Sequence, residues 1–289
     1  MTGHDTARNA DCQTGAAPAV TATRPPWLGA LPALAVVALL FGGALAGAVR
    51  TSLQADPLAG GYTLDAWRAV LTDPRFAAAV GFTIAVTGVT TVASVILAFP
   101  VAAALRGRAW SRTIATLPVL APHLLVAAVA VLWLGPGGLA DRLLTGLPID
   151  VVRARSGLGI VLVYLVKEVP FLTLLLLAAW DDQVAAREEA AAVHGASPAA
   201  RLWHVVLPAV RAPLAVGALV IAAFVLGSFE VPLVVGPTRP DTIATYALRI
   251  TQVADLSGRA QAAAVLLVAT TCAVVLAVLA GWLFWRRHA

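Results

Sequence analysis

Lys167 and Glu168 stand side by side inside an apolar run from Gly157 to Trp180, and Lys167 is the chain's one lysine. Charged groups inside hydrocarbon are costly, so they face a bundle interior, a partner group or an aqueous path. Lys167 falls about ten residues into its run, about 15 Å along a helix and close to mid-membrane. Consecutive helical residues point about 100° apart, so the two charges do not simply pair with each other and each needs its own partner. A third charged residue, Glu230, lies beyond the run that starts near Pro213, about 26 Å along a helix from Pro213 and so near the outer mouth. An acid held there raises the local concentration of cations. The chemistry open to Lys167, Glu168 and Glu230 is therefore electrostatic. They either hold a neighbouring helix or subunit, or they line a translocation pathway, and the residues alone leave both readings open.

Covalent chemistry is poorly served. A phosphate-binding loop needs Gly-Lys followed by Ser or Thr, and Lys167 is followed by Glu168. The chain has no His-Glu-x-x-His, no Gly-x-Ser-x-Gly and no acid pair placed for hydrolysis. Cys12 and Cys272 lie in a polar tail and an apolar run, which argues against a disulfide or metal site. His194 and His204 flank one loop and read as surface residues ahead of a metal pair, while His123 reads as a core hydrogen-bonding residue. No catalytic residue, cofactor or metal is expected, and any ATP would be hydrolysed by another chain.

The polar stretch from Glu189 to Pro208, EAAAVHGASPAARLWHVVLP, interrupts the apolar runs with a fixed pattern. Glu189, Ala190 and Ala191 are followed by Gly195, then by Val205, Leu207 and Pro208. Good helix formers predict a first helix over about 184–194. Gly195 should stop it by taking a left-handed backbone. Ser197 is a good N-cap and Pro198 a good first residue for a second helix, which Pro208 should break.

The elements that position these residues are membrane spans. Of 289 residues, 60% are hydrophobic and 12% charged, with mean hydropathy +0.87. Soluble domains carry about 25% charged residues. The net charge of +5 is spread over short connections, with no basic face for nucleic acid. Residues 1–26 read as a disordered tail. Apolar runs follow at Leu28–Val49, Ala77–Leu105, Thr113–Leu134, Gly157–Trp180, Ala212–Phe229 and Ala260–Trp285. Each is long enough for a core of about 30 Å. The first exceeds the 7–15 apolar residues usual in a signal peptide. Residues 50–75 read as a polar connection, and residues 234–259 as polar and irregular. Trp27, Trp133, Trp180, Trp282 and Trp285 fall at span ends, as an aromatic belt would place them. With the tail inside, ten arginines lie inside and nine outside, so charge bias hardly orients the chain.

The pattern from Glu189 to Pro208 resembles the EAA loop of permease subunits of binding-protein-dependent ATP-binding-cassette (ABC) importers. Val205 stands where that family has Ile, and His194 replaces its apolar residue before the Gly. The resemblance covers about residues 77–285 and implies an all-α, polytopic type I (MetI-like) importer permease with six transmembrane helices. Residues 27–289 would form the permease domain, and residues 181–212 a cytoplasmic coupling loop. It implies four partners: an ABC ATPase subunit, a second permease subunit, an extracytoplasmic substrate-binding protein and the lipid bilayer. It also implies a cell-membrane location with both termini cytoplasmic. Glu189 would anchor the loop, Gly195 make the turn, and Leu207 and Pro208 fix it to the fifth span. Val169-Pro170-Phe171 and Phe229-Glu230-Val231-Pro232 resemble the polyamine subgroup, with iron, thiamine and phosphonate permeases nearby. The contrasting reading is a secondary transporter or channel working without ATP, which inverted repeats would support.

Overall fold

The computed structural model describes residues 27–56, 60–108, 110–143, 151–252 and 257–286. The expected tail, Cys12 and Arg287 lie outside them. The chain divides into a unit ending at Ala44 and a unit beginning at Leu45. Six helical stretches are long and apolar enough to cross a membrane. They begin with α1, Trp27–Ser52. A small antiparallel hairpin follows, β1 (Gln54–Asp56) and β2 (Gly60–Tyr62), and it is the one exception to an all-α fold among the described residues. Then come α2 (Asp65–Thr72) and the long span α3 (Pro74–Leu105).

The third span differs from its expected form. In place of one helix over Thr113–Leu134 there are two, α4 (Ser111–Leu120) and α5 (His123–Leu134), parted at Ala121-Pro122. Pro122 has no N–H to give and disfavours helical geometry in the residue before it, and Ala121 is extended with ψ 135°. The short α6 (Leu139–Leu143) completes a candidate span over His123–Leu143.

The hub is α7 (Leu158–Ala179), which runs through Pro170 without a break. More than half of its most apolar window is buried (56%), against at most 28% for any other span. A helix apolar on every side is one that packs on every side. α7 packs against α3, α4, α5 and α10 (Leu207–Gly227). On α10 the buried positions Val210, Leu214, Gly217, Ile221 and Val225 repeat every three or four residues and form one stripe. Spans gain little from apolar burial in lipid, so close packing and small residues hold them together. Gly217 shows this: a Cβ there would lie 2.7 Å from the δ-methyls of both Leu172 and Leu175. α3 contributes a buried hydroxyl stripe of Thr83, Thr87, Thr90 and Ser94.

The segment 234–252 is not irregular throughout. It begins inside α11 (Glu230–Val235) and continues into α12 (Ile243–Thr251) before α13 (Ser257–Trp285). Thr242 caps α12 in a reciprocal box with Thr245, and Thr83 of α3 accepts the Ile243 N–H at 2.9 Å. Tyr246 donates to the Asp73 carboxylate at 2.6 Å and ties α12 to the start of α3. Pro232 does not end a helix. α10 already stops at Gly227, and Pro232 sits in the first turn of α11, where a missing N–H costs nothing.

Candidate functional site

The loop after α7 folds much as its residues require. α8 (Asp182–Val193) starts on Asp181, whose side chain accepts the Val184 N–H at 3.0 Å. It ends at Gly195, which has φ +81°. The Gly195 N–H reaches Ala192 O at 2.9 Å and the Ala196 N–H reaches Ala191 O at 3.0 Å, the paired bonds of a Schellman stop. No atom lies within 4 Å of where a Gly195 Cβ would be, so backbone conformation alone calls for glycine. Ser197 accepts the Ala200 N–H at 3.2 Å and opens α9 (Pro198–Arg201).

Pro208 does not break the second helix. α9 passes through a π-helical turn, Leu202–Val206, straight into α10. The Leu207 N–H bonds Leu202 O, five residues back. Pro208 can donate nothing to His204 O and its ring crowds that carbonyl; widening the helix by one residue accommodates both. Val205 lies in this turn, and Leu207 and Pro208 open α10, so the loop and the fifth span share one helical axis.

Glu189 and Ala190 are exposed on α8, Ala191 is half-buried, and α8 packs against α9 and the π turn. The ion pair belongs to Glu188, whose carboxylate accepts from the Arg106 guanidinium at the end of α3. Arg106 also stacks on Trp180 at 4.2 Å, and Trp180 packs on Phe99 at 5.7 Å between ring centres. Trp180 is therefore a buried wedge under the loop and not part of an aromatic belt; Trp133, Trp282 and Trp285 are exposed as that belt requires. Arg106, Glu188 and Trp180 form a tether the sequence reading missed. Its one visible signal was an arginine closing a span. Beyond the tether, Val193 (87% exposed) and Trp203 (64% exposed) stand out of the loop as large apolar groups.

Lys167 and Glu168 diverge as their spacing requires. The Lys167 ammonium donates to Pro118 O at 2.9 Å, to Val119 O at 2.7 Å and to Ala121 O. Its three protons thus satisfy carbonyls left without partners where α4 stops at Pro122. Glu168 Oε1 lies 3.3 Å from His123 Nε2, at the first residue of α5. His123 packs on Phe224 at 4.7 Å between ring centres. Val119, His123, Glu168, Phe171, Val220 and Phe224 line a cavity of about 200 Å³. Glu230 is exposed at the start of α11 and makes no ion pair among the described residues. Among the described residues no group of His, Cys, Asp and Glu could hold a metal ion.

Residues 90–286 match the family model described as binding-protein-dependent transport system inner membrane component. The chain belongs to that family. It is 30% identical over 233 residues to the inner membrane ABC transporter permease protein YnjC of Escherichia coli K12, covering 78% of this chain and 45% of that one. It is 30% identical over 167 residues to the permease protein YdcU of the same organism, covering 51% and 53%. The chain thus spans about half the length of the curated relatives it matches. Among solved structures, a bacterial ABC transporter for import of the acidic polysaccharide alginate shares the fold. Its TM-score is 0.71 at 19% identity, covering 90% of this chain and 94% of that one. A bacterial alginate ABC transporter in complex with an alginate pentasaccharide-bound periplasmic protein gives 0.70 at 18%, covering 88% and 91%. The chain is a multi-pass membrane protein with a type I importer permease fold.

Proposed function

We propose that this chain is a transmembrane permease subunit of an ABC importer, coupled by residues 181–212 to a separate ATPase. The observation that carries the reading is the loop itself: a preformed helix-turn-helix, tethered at its base by Arg106–Glu188 and continuous with α10. A lever that transmits a rigid-body motion must be stiff where it joins the span and open where it meets its partner. Glu189, Val193 and Trp203 are the open groups. The chain's single lysine is engaged with carbonyls of the third span, which agrees with a subunit that has no ATPase site of its own. A loop that meets an ATPase faces the cytoplasm, which puts both termini there too. A second permease subunit would complete the pathway and an extracytoplasmic binding protein would deliver the solute.

The substrate is a small polar solute. Glu230 alone favours a cation such as a polyamine, but the end of the molecule that carries it also carries Arg153, on a cavity of about 340 Å³. That removes the charge argument for a polyamine.

Glu189→Lys tests the coupling. The variant should reach the membrane at normal abundance, yet retain at most a tenth of the ATPase subunit that co-purifies with the unaltered chain. Equal recovery of the ATPase with both chains rejects the loop's role. Transport that needs no ATPase at all would instead favour a secondary transporter or channel.

A further inference from the structure

The loops at the end of the bundle away from residues 181–212 gather arginines from separate parts of the sequence. Arg75 comes from the first turn of α3, Arg155 from the loop before α7, and Arg239 from the loop between α11 and α12. With Ala78, Pro240 and Asp241 they line one cavity of about 410 Å³. That volume is within the range of about 300–1,000 Å³ usual for small-ligand sites. Asp241 offsets only part of their charge, because its carboxylate is engaged by Arg249 of α12. Burial pushes the Asp241 carboxyl up, while Arg249, Arg239 and Arg75 pull it down, which sets the latter two guanidiniums near this wall. Arg75, Arg155 and Arg239 form no ion pair among the described residues. Three like charges around one concavity repel, and unpaired guanidinium forks match planar or tetrahedral oxyanions by paired N–H bonds. The walls are held in place: the Arg153 N–H bonds Val235 O at 2.8 Å, joining the loop that carries Arg155 to the segment leading to Arg239.

We infer that the cavity between Arg75, Arg155 and Arg239 is an oxyanion-binding site, taking a carboxylate, sulfate or phosphate group. Under the proposed orientation it lies at the entry end of the pathway, and only that placement rests on the permease reading. The anion is either a free solute or the phosphate of an anionic lipid headgroup, since these loops border the bilayer.

Titrating inorganic phosphate calorimetrically at low salt, into the full chain in nanodiscs of phosphatidylcholine, tests the site with both faces accessible. Saturable binding is expected, weakened at least tenfold in Arg155→Ala/Arg239→Ala and not competed by spermidine. Repeating the titration in discs containing phosphatidylglycerol separates the two sources. Unchanged affinity assigns the site to a free anion, and displacement of phosphate assigns it to the headgroup. Absence of saturable phosphate binding in phosphatidylcholine discs, or equal binding by the double variant, overturns the inference. ATPase recovery with the double variant is read in parallel. Loss of phosphate binding with normal recovery in that variant is the expected pattern. A failure of phosphate binding in the unaltered chain, with recovery intact, would remove the site and leave the permease reading standing.

Discussion

Lys167 carries more of the structure than its charge suggests. Each carbonyl it satisfies at the end of α4 would otherwise stay unpaired inside the bundle, at about 1–3 kcal/mol apiece. Lys167→Met keeps the length and removes the donors, so thermal stability in detergent should fall markedly and membrane abundance with it. An unchanged melting temperature would mean that water or α4 itself supplies the missing bonds. The Asp73–Tyr246 bond makes a pH-dependent contribution outside the spans. The Tyr246 phenol holds the Asp73 carboxyl below its ordinary 3.8. A depressed carboxyl pKa contributes stability that is fully present above the unfolded value and is lost as pH falls through the folded one. Burial, and then Asp73, push the Tyr246 phenol up, so its share is present below its ordinary 10.0 and fades only as pH rises through the raised value. The melting-temperature gap between the unaltered chain and Tyr246→Phe should therefore be flat from about pH 5 to 9 and shrink below about pH 4. A gap that widens on acidification would contradict this. The sequence placed Lys167 deep in a span but left its role open, because its partners exist only once Pro122 has broken a helix 45 residues away.

At the scale of elements, what was legible was what local chemistry decides. Gly195, Ser197 and Pro198 act on their own neighbours, so the stop of α8, the turn and the start of α9 could be read in advance, whereas the cap at Asp181 was not read. What Pro208 and Pro122 do depends on compensation from elsewhere. A proline can end a helix, as Pro122 does, or be accommodated by a preceding turn that widens to a π turn, as at Leu202–Val206. The small helix α12 was missed because its cap pairs Thr242 with a threonine, not with the usual Glu or Gln. Gly195 gives the element-scale prediction. With φ +81° and open space around it, Gly195→Val should cost about 1–2 kcal/mol of loop stability through backbone alone. Gly195→Asn should cost much less, because Asn tolerates the left-handed region. Hydrogen exchange of the α8 amides measures this. Equal protection in the two variants would mean that the turn does not require the left-handed residue.

For the whole molecule, six apolar stretches and the loop between the fourth and fifth were readable from hydropathy alone, and the family match agrees with them. The packing was not readable. That α7 is the hub follows from Gly217, from the α10 stripe and from the charged pair together, and no single run of sequence contains all three. Topology is open to direct test in a chain lacking Cys12 and Cys272. Cysteines at Ser197 and at Thr238, both exposed, should react with impermeant reagent from opposite faces of the membrane. Reaction of both from one face would contradict the six-span arrangement. The central claim is that residues 181–212 meet an ATPase, and Val193 is the large apolar residue most exposed on that loop. A photo-crosslinking amino acid at Val193, activated in cells that make the complete transporter, should join this chain to the ATP-binding subunit. The same group at Thr238 should not. Crosslinks from Val193 to lipid alone, or to the ATP-binding subunit from Thr238, would contradict the account.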